Sequence, residues 1–283
     1  MVTLNRKLIE KHIIALSPIS PQLNPSGKLN QPIAGVLFDV YGTLFISASG
    51  DIGAAKTKRQ AHHKIKQLLE KYTINKSPEN LLQALYGRIE KKHDELRKKG
   101  IDFPEVEIDN IWMDILETND RQSIQQFAAE FELIVNPVYP MPHLREMLSA
   151  LRKQRMLIGI ISNAQFFTPY LFVWFLGSDL KHLGFHPNLI FLSYQLKHAK
   201  PSSALFDLAV EQLKLLGIQA SSILYIGNDM LNDIYPATKA GFKTALFAGD
   251  KRSLRLREDE PKCSGISPDL VITDLIQLLD FIK

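Results

Sequence analysis

Gly35-Val36-Leu37-Phe38-Asp39-Val40-Tyr41-Gly42-Thr43-Leu44 is the stretch on which the reading turns. Its first four residues form a short continuous apolar run, the pattern of a strand buried on both faces. The run ends in a carboxylate. A carboxylate after a buried strand is costly unless it is hydrogen-bonded or does chemistry. Gly42 permits a tight turn, and Thr43 offers a hydroxyl to orient the neighbouring acid. Asp39 is either a turn residue or a nucleophile; this stretch alone does not separate the two.

The same signature recurs along the chain. Residues 156–161 (MLIGII), 189–192 (LIFL), 223–226 (ILYI), 244–247 (TALF) and 270–272 (LVI) are apolar runs of strand length. Helical spacing of apolar residues separates most of them, over 143–153, 203–215, 232–240 and 274–282. This alternation predicts an α/β fold, a doubly wound, Rossmann-like parallel sheet with helices on both faces. In such sheets ligands bind beyond the carboxyl ends of the strands.

The alternation breaks once. From about residue 46 to 139 there is no good strand, only helical patterns. One covers 55–72, with Ile65, Leu68, Leu69 and Tyr72 on one face. The next opens on Ser77-Pro78, an N-cap and first-turn proline, and carries Leu82, Leu85, Tyr86, Ile89 and Leu96. Two shorter ones follow over 108–116 and 121–133. The expected division is an N-terminal extension with a proline-rich linker over 1–33, an α/β core over 34–45 and 141–283, and a helical cap over 46–140 above the sheet's carboxyl edge. There is no internal repeat or low-complexity tract.

The 283 residues, 45% apolar and 23% charged, suffice for a large domain with an insertion. The single cysteine, Cys263, excludes an intrachain disulfide and suits a reducing, cytoplasmic location. It lies in a polar stretch and reads as a loop thiol, not a catalytic one. The net charge of +4 comes from basic runs that alternate with acids or sit on polar helix faces. That is the pattern of solvated surface, not of a nucleic-acid footprint. No apolar run reaches the ~18 residues a membrane span needs. The run 166–176 around Trp174 fits core burial first, and leaves room for a homodimer contact.

The other strand ends also carry chemistry. Ser162-Asn163 follow the second strand, and their hydroxyl and amide donors suit an anion or an N-cap. After the third comes Lys197-His198-Ala199-Lys200-Pro201. Lys200, held extended by the proline after it, can neutralise charge near a carboxylate or be an ordinary loop lysine. The fourth strand ends in Gly227-Asn228-Asp229-Met230-Leu231-Asn232-Asp233. Asp229 and Asp233, four apart at a helix start, share a face. Such acids suit Mg²⁺, can fix Lys200, or only complement the helix dipole.

Together these four strand ends resemble the motifs of the haloacid dehalogenase superfamily, over about residues 34–283. The first motif is Asp39 to Thr43, the second Ser162-Asn163, the third Lys200-Pro201 and the fourth the segment 228–233. The helical insertion falls where that family carries its cap. The resemblance implies a hydrolase of a small phosphorylated or carboxylate-bearing molecule. Asp39 is then the covalent nucleophile, which splits one hard step into two. Thr43, Ser162 and Asn163 bind the substrate, and Lys200 offsets charge on Asp39 and on the transition state. A Mg²⁺ ion would use Asp39, the backbone carbonyl of Tyr41, and Asp229 or Asn228, with Asp233 in support.

Two departures divide the family's chemistries. Its phosphatases usually carry a second aspartate, acting as general acid and base, where this chain has Tyr41. A phenol with its ordinary pKa of ~10 is a poor substitute. The Asp-x-Tyr-Gly-Thr form is similar to the 2-haloacid dehalogenases, which need no acid because halide leaves unaided. Phe206 stands where those enzymes often carry tyrosine, however, and the acids at 229 and 233 point back to metal-dependent phosphatases. The expectation is phosphoester hydrolysis through an aspartyl-phosphate with Mg²⁺. The alternatives are metal-free carbon–halide hydrolysis and a catalytically weak relative that only binds. Residues 47–53 (SASGDIG) are expected to form the hinge and gate of the cap. Arg59, His62 and His63 read as a solvated helix face ahead of substrate contacts.

Overall fold

The computed structural model describes residues 4–48 and 59–282. Its strands are β1 (Ser26–Gly27), β2 (Gly35–Phe38), β3 (Phe45–Ser47), β4 (Val138–Pro140), β5 (Leu157–Ser162), β6 (Phe185–Leu192), β7 (Ile223–Gly227), β8 (Lys243–Phe247) and β9 (Leu270–Ile272). Seven form one sheet in the order β1-β9-β8-β7-β2-β5-β6. The pairings are parallel except for β1, which runs antiparallel to β9 at the edge. β2 is buried throughout, because helices cover both faces. Val36 and Phe38 pack into one apolar cluster and Leu37 into the other, as the period of two requires. The chain builds outward from β2 through β5 on one side and β7 on the other. The carboxyl end of β2 is therefore the topological switch point, where a crevice opens.

The helices begin with a short α1 (Arg6–Ile9). The inserted block follows: α2 (Arg59–Lys71), α3 (Pro78–Arg97), α4 (Ile108–Leu116) and α5 (Arg121–Val135). The block has its own core, in which the Trp112 ring meets Phe127 edge-on at 5.0 Å and Phe131 at 4.8 Å. The Ser77 side chain accepts from the Asn80 N–H, with Pro78 in the first turn, as the sequence suggests. Beyond the block come α6 (Leu144–Lys153) and α7 (Thr168–Leu176). Trp174 of α7 is buried, in line with the core reading.

Two features depart from the expectations. The segments entering and leaving the block pair with each other, β3 antiparallel to β4. Strands of three residues are too short to show a period, so this neck was invisible between the helical patterns. The N-terminal segment is also more than a linker. Leu4 and Ile9 are buried in the main core, and Trp174 Nε1 donates to the Leu4 carbonyl at 2.9 Å. His12 Nε2 lies 3.0 Å from Glu130 Oε2 on α5. Of the expected hinge only residues 47 and 48 fall within the described residues; 49–53 lie outside them, as does the side chain of Arg59. Among the described residues, no helix is long and apolar enough to cross a membrane.

Candidate active site

Asp39 directly follows β2, and its N–H donates to the Ile226 carbonyl of β7 at 2.9 Å. That bond carries the strand register into the site. The residue is 5% exposed. Its Oδ1 accepts from Lys200 Nζ at 2.6 Å and from Ser162 Oγ at 3.0 Å. The Thr43 hydroxyl stands 3.4 Å from Oδ2. Parallel pairing of β2 with β5 and β7 puts the carboxyl ends of three strands side by side. Residues far apart in sequence therefore meet there.

Lys200 is buried and also donates to Asp233 Oδ1 at 2.5 Å. Burial opposes charge on this lysine, but Asp233 and Asp39 outweigh it and hold its pKa above the usual value. Burial likewise pushes Asp233 up, to about 6, with Lys200 opposing and Asp39 adding to the rise. Two buried carboxylates thus share one ammonium. Asp233 Oδ2 accepts the N–H groups of Asn228 at 3.0 Å and Asp229 at 2.9 Å. Gly227 is required here, since a Cβ would run into the Asp233 carboxyl. Gly42 is required for its φ of 88° and because a Cβ would lie 2.6 Å from that of Ser253.

The remaining predicted residues divide by role. Asn163 clasps the lysine loop: its Oδ1 accepts from the Lys200 N–H at 2.7 Å, and its Nδ2 donates to the Lys200 carbonyl at 3.2 Å. Thr43 donates to Asn228 Oδ1 at 3.0 Å, while Asn228 Nδ2 donates to the Ser253 carbonyl at 2.6 Å. Asp229 does not share a face with Asp233. It caps the following turn by accepting from the N–H groups of Leu231 and Asn232. Its carboxylate pairs in two-pronged fashion with Arg257, at 3.0 and 2.7 Å. The Tyr41 hydroxyl is bonded to Thr168 Oγ1 at 3.0 Å. Burial, then the charges of Glu132 and Asp39, push this phenol far above its usual pKa, so it stays protonated. His62 faces Glu79 at 3.2 Å and His63 faces Gln67 at 3.1 Å on the helical block, as a solvated helix face would.

Other residues belong to the site without having been singled out. The Tyr225 hydroxyl lies 3.1 Å from Lys200 Nζ, and 2.9 Å from both Asp233 Oδ1 and the Ile161 carbonyl. Phe206, which lacks a hydroxyl, packs its ring 5.1 Å from that of Tyr225. The hydroxyl beside the lysine is thus supplied from β7. A cavity of about 610 Å³ opens over Asp39, and Glu105, Glu132, Arg255 and Arg257 also line it. Two sequence signals pointed to these groups: a tyrosine inside a buried strand, whose hydroxyl must find a partner, and a lone glutamate within the apolar run 131–135.

The donor set at the strand ends fits a hard cation. The Thr43 hydroxyl touches both Asp39 Oδ2 and Asn228 Oδ1, so an acid and an amide oxygen face one point from β2 and β7. Among the described residues no three His, Cys, Asp or Glu side chains gather as a ligand set. Mg²⁺ is commonly held by one or two carboxylates, with water and substrate phosphate completing the shell.

A buried aspartate at the switch point, held by a serine and a lysine from neighbouring strand ends, defines a hydrolase of the haloacid dehalogenase type. A family model described as haloacid dehalogenase-like hydrolase matches residues 33–241, and the chain belongs to that family. No curated protein matches significantly. Among solved structures, a 2-haloacid dehalogenase from Pseudomonas syringae pv. Tomato DC3000 is 21% identical, with a TM-score of 0.58 over 88% of this chain and 97% of that one. A HAD phosphatase from Thermococcus onnurineus is 16% identical, with a TM-score of 0.53 over 88% and 97%. The HAD-hydrolase YfnB from Bacillus subtilis, solved with magnesium, is 19% identical, with a TM-score of 0.50 over 89% and 100%. At these identities the likeness is one of fold.

Proposed function

We propose that the protein hydrolyses phosphate esters of small molecules, with Asp39 attacking phosphorus and water then cleaving the aspartyl-phosphate. The carrying observation is the lining of the cavity over Asp39. Of its eighteen described residues, only Ala164 and Phe167 have wholly apolar side chains. An oxygen-rich anion suits that lining; the carbon–halogen end of a haloacid does not. Lys200 and Ser162 bond to Oδ1 of Asp39 and the Thr43 hydroxyl stands at Oδ2, so the carboxylate is held in place for attack. Lys200 then offsets charge as the phosphoryl group arrives. The helical block contributes Glu105, Glu132 and Asn136 to the lining; it acts as a cap that excludes water from the reaction.

A divalent ion would be held by Asp39, the Tyr41 carbonyl and Asn228, the residue favoured over Asp229 because Arg257 engages the latter. When bound it would supply positive charge to the phosphoryl oxygens. Dehalogenation is the second reading, favoured by one observation: the Tyr41 phenol is tied to Thr168 and offers no acid to a leaving group.

The test is phosphate release from p-nitrophenyl phosphate with and without Mg²⁺, beside halide release from 2-chloropropionate. Metal-stimulated phosphate release is expected, lowered roughly 10³-fold or more in Asp39→Asn. Halide release without metal, together with no phosphate release, would replace this reading with the second one.

A further inference from the structure

The chain has Tyr41 where the family's phosphatases usually carry a second aspartate, yet an alkyl phosphate needs an acid for its leaving group. Expelling an alkoxide without a proton is slow, and a positioned acid contributes typically 10²–10⁴-fold. Tyr41 does not fill the role, because its hydroxyl is bonded to Thr168 and its pKa is driven upward. The cavity nevertheless holds a carboxyl in a fitting place. Glu132 of α5 lines it together with Asp39 and Tyr41, reaching in from the helical block. Tyr41 feels the charge of Glu132 and that of Asp39, so its phenol lies within electrostatic reach of each.

Glu132 is also held in place. Asn136, at the end of α5, donates its Nδ2 to Glu132 Oε1 at 3.3 Å. The Asn136 Oδ1 in turn accepts from Ser47 Oγ of β3 at 2.8 Å. A relay of side chains therefore ties the glutamate to the neck that follows the Asp39 motif. We infer that Glu132 is the general acid of this enzyme, supplied by the inserted block in place of the missing second aspartate. This rests on the phosphoester reading above.

The chemistry balances. A carboxylate oxygen of Asp39 forms a bond to phosphorus as the bond from phosphorus to the leaving oxygen breaks. That oxygen keeps the electron pair and takes the Glu132 proton, leaving as an alcohol. Water then attacks the aspartyl-phosphate and gives a proton to the Glu132 carboxylate. Inorganic phosphate departs, and Asp39 and protonated Glu132 are restored.

The proton is available. Burial raises the Glu132 carboxyl to about 7, with the Asn136 hydrogen bond opposing. The accessible part of its side chain faces the cavity. Among the described residues, the ionisable groups lining the same cavity are Asp39 and Tyr41 from the end of β2, Glu105 ahead of α4, Lys200 after β6, and Arg255 and Arg257 beyond β8. Asp229 and Asp233, also in the lining, are engaged by Arg257 and Lys200.

The experiment compares wild type, Glu132→Gln and Glu132→Asp on two substrates. Ethyl phosphate has a poor leaving group that needs a proton; p-nitrophenyl phosphate has one that leaves largely unaided. Glu132→Gln is expected to lower kcat/KM for ethyl phosphate about 100-fold and for p-nitrophenyl phosphate less than about ten-fold. Glu132→Asp is expected to recover part of the loss. Wild-type activity on ethyl phosphate should fall above about pH 7, a limb that Glu132→Gln lacks. Equal losses on both esters, or no loss on either, would overturn the inference while leaving the phosphoester reading in place. No phosphate release by the wild-type protein from either ester would remove both.

Discussion

Glu130 and Glu132 stand two residues apart on α5, and their environments drive them in opposite directions. Glu130 is fully buried and, among the described residues, meets His12 at 3.0 Å, Lys71 at 2.5 Å, Tyr72 at 2.7 Å and the Lys11 ammonium at 3.6 Å. Burial alone would raise its pKa, but hydrogen bonds from His12, Lys71 and Tyr72 win and hold it at about 2. Among the described residues Glu132 has the Asn136 amide and no bonded cation, and burial takes it to about 7. Burial alone therefore does not set the charge of an internal acid. The partners decide, and the helix spacing decides which partners are met. One glutamate looks toward α2 and the N-terminal segment, the other into the cavity.

That contrast can be broken at several points. The largest effect is expected from Glu130→Ala, which strips His12 and Tyr72 of their shared acceptor. The unfolding free energy in urea should drop by about 3 kcal/mol at pH 7. Acid titration sharpens the comparison. Glu130 releases its proton more readily folded than unfolded. It therefore stabilises the fold above its ordinary pKa of 4.5, and that contribution is lost as pH falls toward about 2. Unfolding curves across that window should be flatter in Glu130→Ala than in wild type.

Glu132 has the reverse sign. Its folded state holds the proton more tightly, so stability declines as pH rises from 4.5 to about 7 and is level above. Glu132→Gln should be more stable than wild type at pH 8, by roughly 1–2 kcal/mol, and no more stable at pH 4. A variant less stable at pH 8 would show that the ionised carboxyl is well tolerated there. The smallest effect belongs to the intermediate case. Asp229 is paired, but its partner Arg257 is 38% exposed. Arg257→Gln should cost less than about 1 kcal/mol and lose its effect in high salt.

The core was legible in the sequence because a strand covered on both faces cannot be anything but continuously apolar. β2, β7 and β9 begin where the runs 35–38, 223–226 and 270–272 begin. The meeting of Asp39, Ser162, Lys200 and Asp233 followed from the rule that strand ends converge. What escaped did so for physical reasons. Tyr225 reads as one more apolar residue of its run, although its hydroxyl sits on Lys200 and Asp233. Helical spacing puts Asp229 and Asp233 on one face. Asp229 is instead the cap before the turn, and a cap folds its side chain back onto the N–H groups behind it. Glu132 lies in a helical pattern, and helices commonly alternate acids with apolar residues on a solvated side. Here its flanks, Phe131 and Leu133 to Val135, are apolar in the sequence and all buried in the fold.

The N-terminal segment touches both halves of the molecule. It adds β1 to the sheet and bonds Leu4 to Trp174 in the core, and it places His12 on α5 of the inserted block. The neck of β3 and β4 is thus one of several attachments between the halves among the described residues; Phe103 and Glu105 of the block also bond to Ala199 and Lys197 of the core, at 2.7 and 3.0 Å. In mechanical terms the block is a door on a hinge with more than one stay. A rotation about the neck that leaves the hinge intact must still lengthen the N-terminal stay or release the histidine from its glutamate.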